Sequence, residues 1–142
     1  MKILAENLKD LIIEKGVSLR EIERNCGVSS SNLSRYLKET TPKISVAIKL
    51  CNYFECSLDY LLSLSDDKKI LGLKDYNQEL FLQRYNEFLK LNNISHYKLA
   101  QELGLSESII RHWRNGEIPK LDTLYLIATR LGSSIDYLIG RF

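Results

Sequence analysis

The sequence contains an internal repeat that spans almost its whole length. When it is shifted by 77 residues, positions 4–63 align with positions 81–140 without a gap. Residues typical of turns coincide, as Gly27 does with Gly104. Apolar positions coincide as well, in the pairs Leu4/Phe81, Leu8/Tyr85, Leu11/Phe88, Ile12/Leu89, Val17/Ile94, Ile22/Leu99, Leu33/Ile110 and Tyr36/Trp113. Turn and core positions that keep one register indicate two copies of one structural unit.

Each copy has the pattern of five short helices. Apolar residues such as Leu4, Leu8 and Leu11 recur at helical spacing, and no segment has the alternation typical of a strand. The chain is therefore predicted to be all-α, with two tandem five-helix units. In the first copy the expected helices cover residues 3–15, 30–38, 44–54 and 58–62, and a capping box of Ser18 and Glu21 begins a further helix after the first. In the second copy they cover residues 78–92, 96–103, 107–114, 121–131 and 135–140.

A linker separates the two units. We expect a first unit at 1–64, a linker at 65–77 and a second unit at 78–142. The linker begins with charged residues but continues with apolar ones, which do not suit a freely solvated tether. Those apolar residues, which we expect to pack on one or both units, are Ile70, Leu71 and Leu73.

The segment from Ser95 to Gly116 is typical of two short helices joined by a tight turn. Ser95 is a residue type that caps a helix N-terminus, and Gly104 suits the left-handed conformation at which a helix stops. Ser106 can cap the second helix of the pair. Ile110 and Trp113 lie three residues apart and predict its inward stripe. We therefore expect Trp113 and its counterpart Tyr36 to be buried.

This segment resembles the helix-turn-helix of the lambda-repressor-like (Xre/Cro) family of DNA-binding domains. The resemblance continues through Pro119, Leu124, Ile127, Ala128, Leu131 and the residues from Ser134 to Gly140. It implies sequence-specific binding of double-stranded DNA and a role as a transcriptional regulator or repressor. A protein partner or a homodimer is compatible with this role.

The resemblance also implies which residues contact DNA. Bases are contacted from the outward face of the third helix, which here carries Ser30, Ser31, Ser34 and Arg35 in the first copy and Glu107, Ser108, Arg111 and His112 in the second. Phosphates are contacted from the start of the second helix and from the loop after the third, at Ser18, Arg20, Lys38, Lys43, Ser95, His96, Asn115 and Lys120. The alternative is that these residues form ordinary solvated polar surfaces.

The first copy departs from the family pattern. Leu19 stands where the family often has glutamine, Glu23 where it favours alanine, and Glu39 and Glu55 where it has glycine. One hypothesis is that this copy serves packing or partner binding more than DNA binding. The rival function for the whole chain is a protein-interaction module, such as an antitoxin-like or anti-repressor adaptor that kept the fold and lost DNA recognition.

No pattern of catalytic residues is present, so we do not expect an enzyme. There is no glycine-rich phosphate loop, and His96 and His112 belong to different helices of one copy. Asp59 and Asp136 each precede Tyr-Leu at the start of a fifth helix, where a carboxylate interacts favourably with the helix N-terminus. A structural role is therefore expected for both.

The cysteines do not predict a metal site. Cys26, Cys51 and Cys56 are odd in number and match no zinc spacing, so no metal and no cofactor are expected. Cys26 and Cys51 correspond to Leu103 and Ala128, which predicts core positions, whereas Cys56 is expected to be partly exposed.

Composition sets only broad bounds. Hydrophobic residues make up 44% of the chain and charged residues 27%, which is ordinary for a globular protein. No apolar run approaches the roughly 18 residues that a membrane span needs, and no signal peptide is recognised, so a cytoplasmic location is expected. The net charge of +2 permits nucleic-acid binding without requiring it.

Overall fold

The computed structural model of the protein describes residues 1–68 and 72–142, and all regular structure in these two segments is helical. They contain ten helices: α1 (Lys2–Lys15), α2 (Leu19–Cys26), α3 (Ser30–Leu37), α4 (Ile44–Phe54), α5 (Leu58–Leu61), α6 (Gln78–Leu91), α7 (His96–Leu103), α8 (Ile109–Arg114), α9 (Leu121–Leu131) and α10 (Ile135–Leu138). The helices divide between two compact units, Met1–Leu73 and Lys74–Phe142, with five in each. The prediction of an all-α chain with two five-helix units is confirmed.

The core of the first unit is built on the apolar stripe of α1. Leu4 and Leu8 are fully buried, and α1 packs against α3 and α5, while α4 packs against α2 and α5. Local chemistry sets the boundaries of these helices. Gly16 ends α1 with a φ of 68°, in the left-handed region that glycine adopts without steric cost. Ser18 caps the start of α2, because its side chain accepts a hydrogen bond from the backbone N–H of Glu21.

Aromatic side chains fill the core of the second unit. The ring centroid of Trp113 lies 5.3 Å from that of Phe81 and 5.5 Å from that of Tyr85, both in edge-to-face geometry. Trp113 is only 1% exposed and Tyr36, its counterpart in the first unit, 8%, so the predicted burial of both is confirmed. This cluster fixes α8 to α6 and determines which face of α8 is left outward.

The two ends of the second unit are bonded to each other. Arg141 donates from Nη1 to the Asp136 carboxylate at 2.7 Å and from Nε to the Lys74 carbonyl at 2.7 Å, and the side chains of Arg141 and Asp136 are fully buried. The backbone N–H of Asn77 donates to the Ile139 carbonyl at 2.9 Å. Residues 74–77, which the sequence predicts as linker, therefore belong structurally to the second unit.

The first half of the predicted linker is likewise bonded to the first unit. The Lys68 carbonyl accepts a hydrogen bond from the backbone N–H of Ser57, and the Lys68 ammonium group lies 3.2 Å from the Glu14 carboxylate. Leu73 is half-buried. Ile70 and Leu71, which we expect to pack on the units, lie outside the described residues.

The cysteines depart in part from the sequence prediction: Cys26, which is expected at a core position, is only half-buried, whereas Cys56 is more deeply buried than expected. The prediction that Cys56 is partly exposed is wrong: its side chain is 5% exposed, because the turn between α4 and α5 folds it inward. Cys51 is fully buried, as predicted. Cys26 is half-buried, its thiol donates to the Lys49 carbonyl at 3.4 Å, and burial raises its pKa.

Candidate nucleic-acid interface

Helix α3 presents a polar face because its apolar residues are anchored in the core. Leu33 is fully buried and Tyr36 nearly so, which leaves the other side of the helix outward. Of the predicted base-contacting residues, Ser31 and Arg35 are exposed, and Ser30 and Ser34 are half-buried. The structure thus keeps these four side chains on one short helix.

A carboxylate from α2 lies at the start of α3. Glu23 accepts from the backbone N–H of Ser30 at 3.1 Å through Oε1, and from the Ser30 hydroxyl at 3.2 Å through Oε2. The Ser29 hydroxyl accepts from the backbone N–H of Asn32 at 3.2 Å, so two acceptors cap this helix. The Glu23 side chain is exposed, so its carboxylate reaches solvent while it caps α3.

Helix α8 begins two residues later than the sequence predicts. Its first residue is Ile109, whereas Ser106 accepts from the backbone N–H of Ser108 at 3.3 Å and so stabilises the preceding turn. Ser106 is therefore not the helix cap that we expect from the sequence. The second unit has Ala100 where the first has Glu23, and an alanine side chain cannot accept a hydrogen bond from the following helix.

The outward face of α8 and the turn before it together carry both signs of charge. Glu107, Arg111 and His112 are exposed and Ser108 is half-buried. Nδ1 of His112 lies 3.4 Å from the Glu117 carboxylate, an exposed pair whose contribution to stability is small. Arg111 has an exposed side chain on the helix that Trp113 anchors, so its guanidinium group can reach a partner outside the unit.

The C-terminal end of α8 is held by the first residue of α6. The side-chain amide of Gln78 donates to the carbonyls of Trp113, at 2.6 Å, and Glu117, at 3.1 Å. The Tyr76 hydroxyl donates to the Gln78 side-chain oxygen, and burial raises the pKa of this tyrosine, so it remains a donor at neutral pH. The orientation of α8 is therefore fixed at its buried face and at its end.

The predicted phosphate-contacting residues surround the two helix pairs. Lys43 and Lys120 are exposed at the N-caps of α4 and α9, each after a buried proline. Ser18 and Ser95 cap α2 and α7 by accepting backbone hydrogen bonds at 3.2 and 3.1 Å. Three more of the predicted phosphate-contacting residues have exposed side chains: Arg20, Lys38 and Asn115.

His96 differs from the other predicted phosphate contacts because its ring is turned into the unit. Its Nδ1 is hydrogen-bonded to the Tyr85 hydroxyl at 2.6 Å, and its buried Nε2 has no partner among the described residues. Burial lowers the pKa of His96, and the positive charge of Arg114 lowers it further. In this conformation the His96 ring belongs to the aromatic core, and of the polar groups of His96 only the backbone N–H is left for a phosphate.

A family profile described as helix-turn-helix matches two regions, residues 8–61 and 86–138, which together cover more than half of the chain. The chain belongs to the helix-turn-helix family. Its two helix-turn-helix domains are of the lambda-repressor-like Xre/Cro type and lie in tandem, as the sequence predicts. Comparison with curated proteins and with solved structures gave no match.

Membership of the helix-turn-helix family implies DNA as the partner, and no catalytic domain is matched. By the resemblance that the sequence shows, α3 and α8 occupy the place of the recognition helices. No helix within residues 1–68 and 72–142 is both long and apolar enough to cross a bilayer. The same residues hold no group of three or more His, Cys, Asp or Glu side chains that could bind a metal ion.

Sequence reasoning singles out Glu23 as a departure from the family pattern but misses its contact with α3, and it misses the role of Gln78 altogether. Glu23 lies in α2 rather than in the recognition helix, and Gln78 lies at the start of α6. A signal for Glu23 exists in the repeat, because it is a glutamate opposite Ala100. Gln78 has no such signal, because its role depends on the tertiary contact between α6 and the end of α8.

Proposed function

We propose that the protein binds double-stranded DNA in a sequence-specific manner and acts as a transcriptional regulator or repressor. The observation that carries the proposal is the exposure of Arg35, Arg111 and His112 on recognition helices whose opposite faces are anchored by Tyr36 and Trp113. A rigidly held helix with exposed donors is what recognition in the major groove requires. A location in the cytoplasm, with the DNA, is part of this proposal.

The proposed contacts divide into two chemical classes. Arg35 and Arg111 can each donate two parallel hydrogen bonds to guanine O6 and N7, which specifies a base. Lys43 and Lys120 are exposed at helix N-caps, where an ammonium group and free backbone N–H groups together suit a phosphate. Phosphate contacts supply affinity for any sequence, whereas base contacts supply the preference.

We further propose that each unit is one DNA-binding head. Two heads on one chain make the second binding event intramolecular, which can raise avidity by roughly 10²–10⁴ when both can engage. The outward residues of α3 and α8 differ, so the two half-sites should differ as well. The expected target is an asymmetric composite site rather than a palindrome.

Selection from random double-stranded DNA with the intact protein tests the function. Arg111→Ala should weaken binding to the selected site on the order of 5- to 150-fold and relax the preference at one base pair. Lys120→Ala should weaken binding to all sequences alike and reduce the slope of log affinity against log salt by about 0.9. The matched control is Lys90→Ala, an exposed lysine in the last turn of α6, outside both recognition helices.

The result that contradicts the proposal is Arg111→Ala behaving like Lys90→Ala in both affinity and base preference. The rival function, a protein-interaction module, is favoured for the first unit by one observation, the exposed Glu23 carboxylate at the start of its recognition helix. A module that has lost DNA recognition would show no selected sequence and no linear salt dependence.

A further inference from the structure

Glu23 changes the hydrogen-bonding character of the first recognition helix. A serine hydroxyl has one proton, and that of Ser30 is donated to Glu23 Oε2 at 3.2 Å. The Ser30 backbone N–H is donated to Oε1 at 3.1 Å. The pair of Ser30 and Glu23 therefore presents only acceptors: the lone pairs of the Ser30 oxygen and those that remain on the exposed carboxylate.

The second unit has a carboxylate at the corresponding place, but on a different residue. The first unit has Glu23 in α2 and Ser30 in α3, and at the equivalent positions the second has Ala100 and Glu107. Glu107 is exposed in the turn before α8, two residues ahead of the first residue of that helix. A glutamate therefore lies in α2 in the first copy and in the turn before α8 in the second, so each copy keeps one negative charge near the start of its third helix.

We propose that Glu23 is a specificity-determining residue of the first unit, which with Ser30 accepts a hydrogen bond from the amino group of a cytosine. This inference rests on the proposed DNA-binding function. In the major groove cytosine presents an amino donor with no ring acceptor beside it, adenine presents an amino donor next to the acceptor N7, and guanine presents only the acceptors N7 and O6. An acceptor-only pair therefore favours cytosine and repels guanine at one position of the first half-site.

The simpler alternative is that Glu23 only caps α3. The variant Glu23→Gln separates the two roles, because the amide oxygen still accepts from the Ser30 backbone N–H while the charge is removed and an NH₂ donor is added. Selection with the intact wild-type protein should show a cytosine preference of about fivefold or more at one position. In Glu23→Gln that preference should fall below about twofold, with the rest of the site unchanged. A purely capping role predicts no change.

A second variant and a matched control complete the test. Glu23→Ala combined with Ser30→Glu gives the first unit the alanine and glutamate that the second unit has at these two positions, and should restore the cytosine preference. Glu21→Gln removes the same charge from the same helix, but Glu21 is bonded to Ser18 and not to α3, so the preference should persist. Circular dichroism of each variant verifies that the helices are retained.

The failures of the two proposals are distinguishable. If the wild type selects a sequence that Arg111→Ala relaxes, but Glu23→Gln leaves every base preference intact, the Glu23 inference is overturned and the DNA-binding function stands. If the wild type selects no sequence at all, both are overturned.

Discussion

Two ion pairs of equal length in the second unit should differ greatly in their effect on stability. Arg141 and Asp136 are joined at 2.7 Å with both side chains fully buried. Arg130 and Glu102 are also joined at 2.7 Å, but their side chains are 39% and 35% exposed. Replacing each arginine by methionine removes the same charge and keeps an unbranched apolar chain, so burial is the main difference between the two experiments.

The expected losses follow from desolvation. Arg141→Met leaves the Asp136 carboxylate buried without its guanidinium partner and the Lys74 carbonyl without its donor, which should cost about 3–5 kcal/mol. Arg130→Met exposes Glu102 to water and should cost under about 1 kcal/mol. A unit of this size is stable by roughly 3–10 kcal/mol, so Arg141→Met should leave the second unit partly or largely unfolded.

Urea denaturation of the intact chain measures both losses. The single tryptophan, Trp113, lies in the core of the second unit, so its fluorescence reports that unit alone. Combining Arg141→Met with Asp136→Ala should recover about 1–3 kcal/mol relative to the sum of the single changes, because the buried carboxylate that lost its guanidinium partner is gone. A loss for Arg141→Met no larger than that for Arg130→Met would refute the desolvation argument.

Two further predictions concern the pH and the backbone. Burial lowers the pKa of His96, so this histidine binds a proton more readily in the unfolded chain than in the folded one. The second unit should therefore lose stability as the pH falls from about 7 to 5. His96→Gln should remove the part of this loss that is due to His96. Glu55 has a φ of 54° at a position where the second unit has Gly132. Glu55→Gly should therefore raise the free energy of unfolding of the first unit by about 0.5–1 kcal/mol, measured by circular dichroism in urea.

The fold could be predicted because its determinants are local and repeated. Turn residues and inward stripes occur twice in one register, so each copy supports the interpretation of the other. Helices α7 and α9 have the bounds that the sequence predicts, His96–Leu103 and Leu121–Leu131. Glu39, at a glycine position, adopts a positive φ of 75° like Gly116 in the second copy, because the turn after the recognition helix requires it.

The features that could not be predicted depend on contacts between distant residues. Arg141 lies just beyond the aligned repeat, so nothing in the first copy indicates that it pairs with Asp136. The start of α8 at Ile109 accompanies the hydrogen bond that Ser106 accepts from the backbone N–H of Ser108, which the sequence pattern does not indicate. The inward rotation of His96 depends on the Tyr85 hydroxyl, and its position at the start of a helix gives no sign of it.

The two units combine one scaffold with two different contact surfaces. Helix geometry makes the outward positions of α3 and α8 a consequence of the inward ones, because the buried residues Leu33, Tyr36 and Trp113 leave a fixed set of neighbours on the other side. The inward positions match in kind between the copies, whereas the outward ones do not: Ser34 corresponds to Arg111, and Arg35 to His112. Substitution on the outward face leaves the core untouched, so the outward residues of the two units can differ without disturbing the packing of either. A chain built in this way fits the proposed DNA site, whose two halves are unlike.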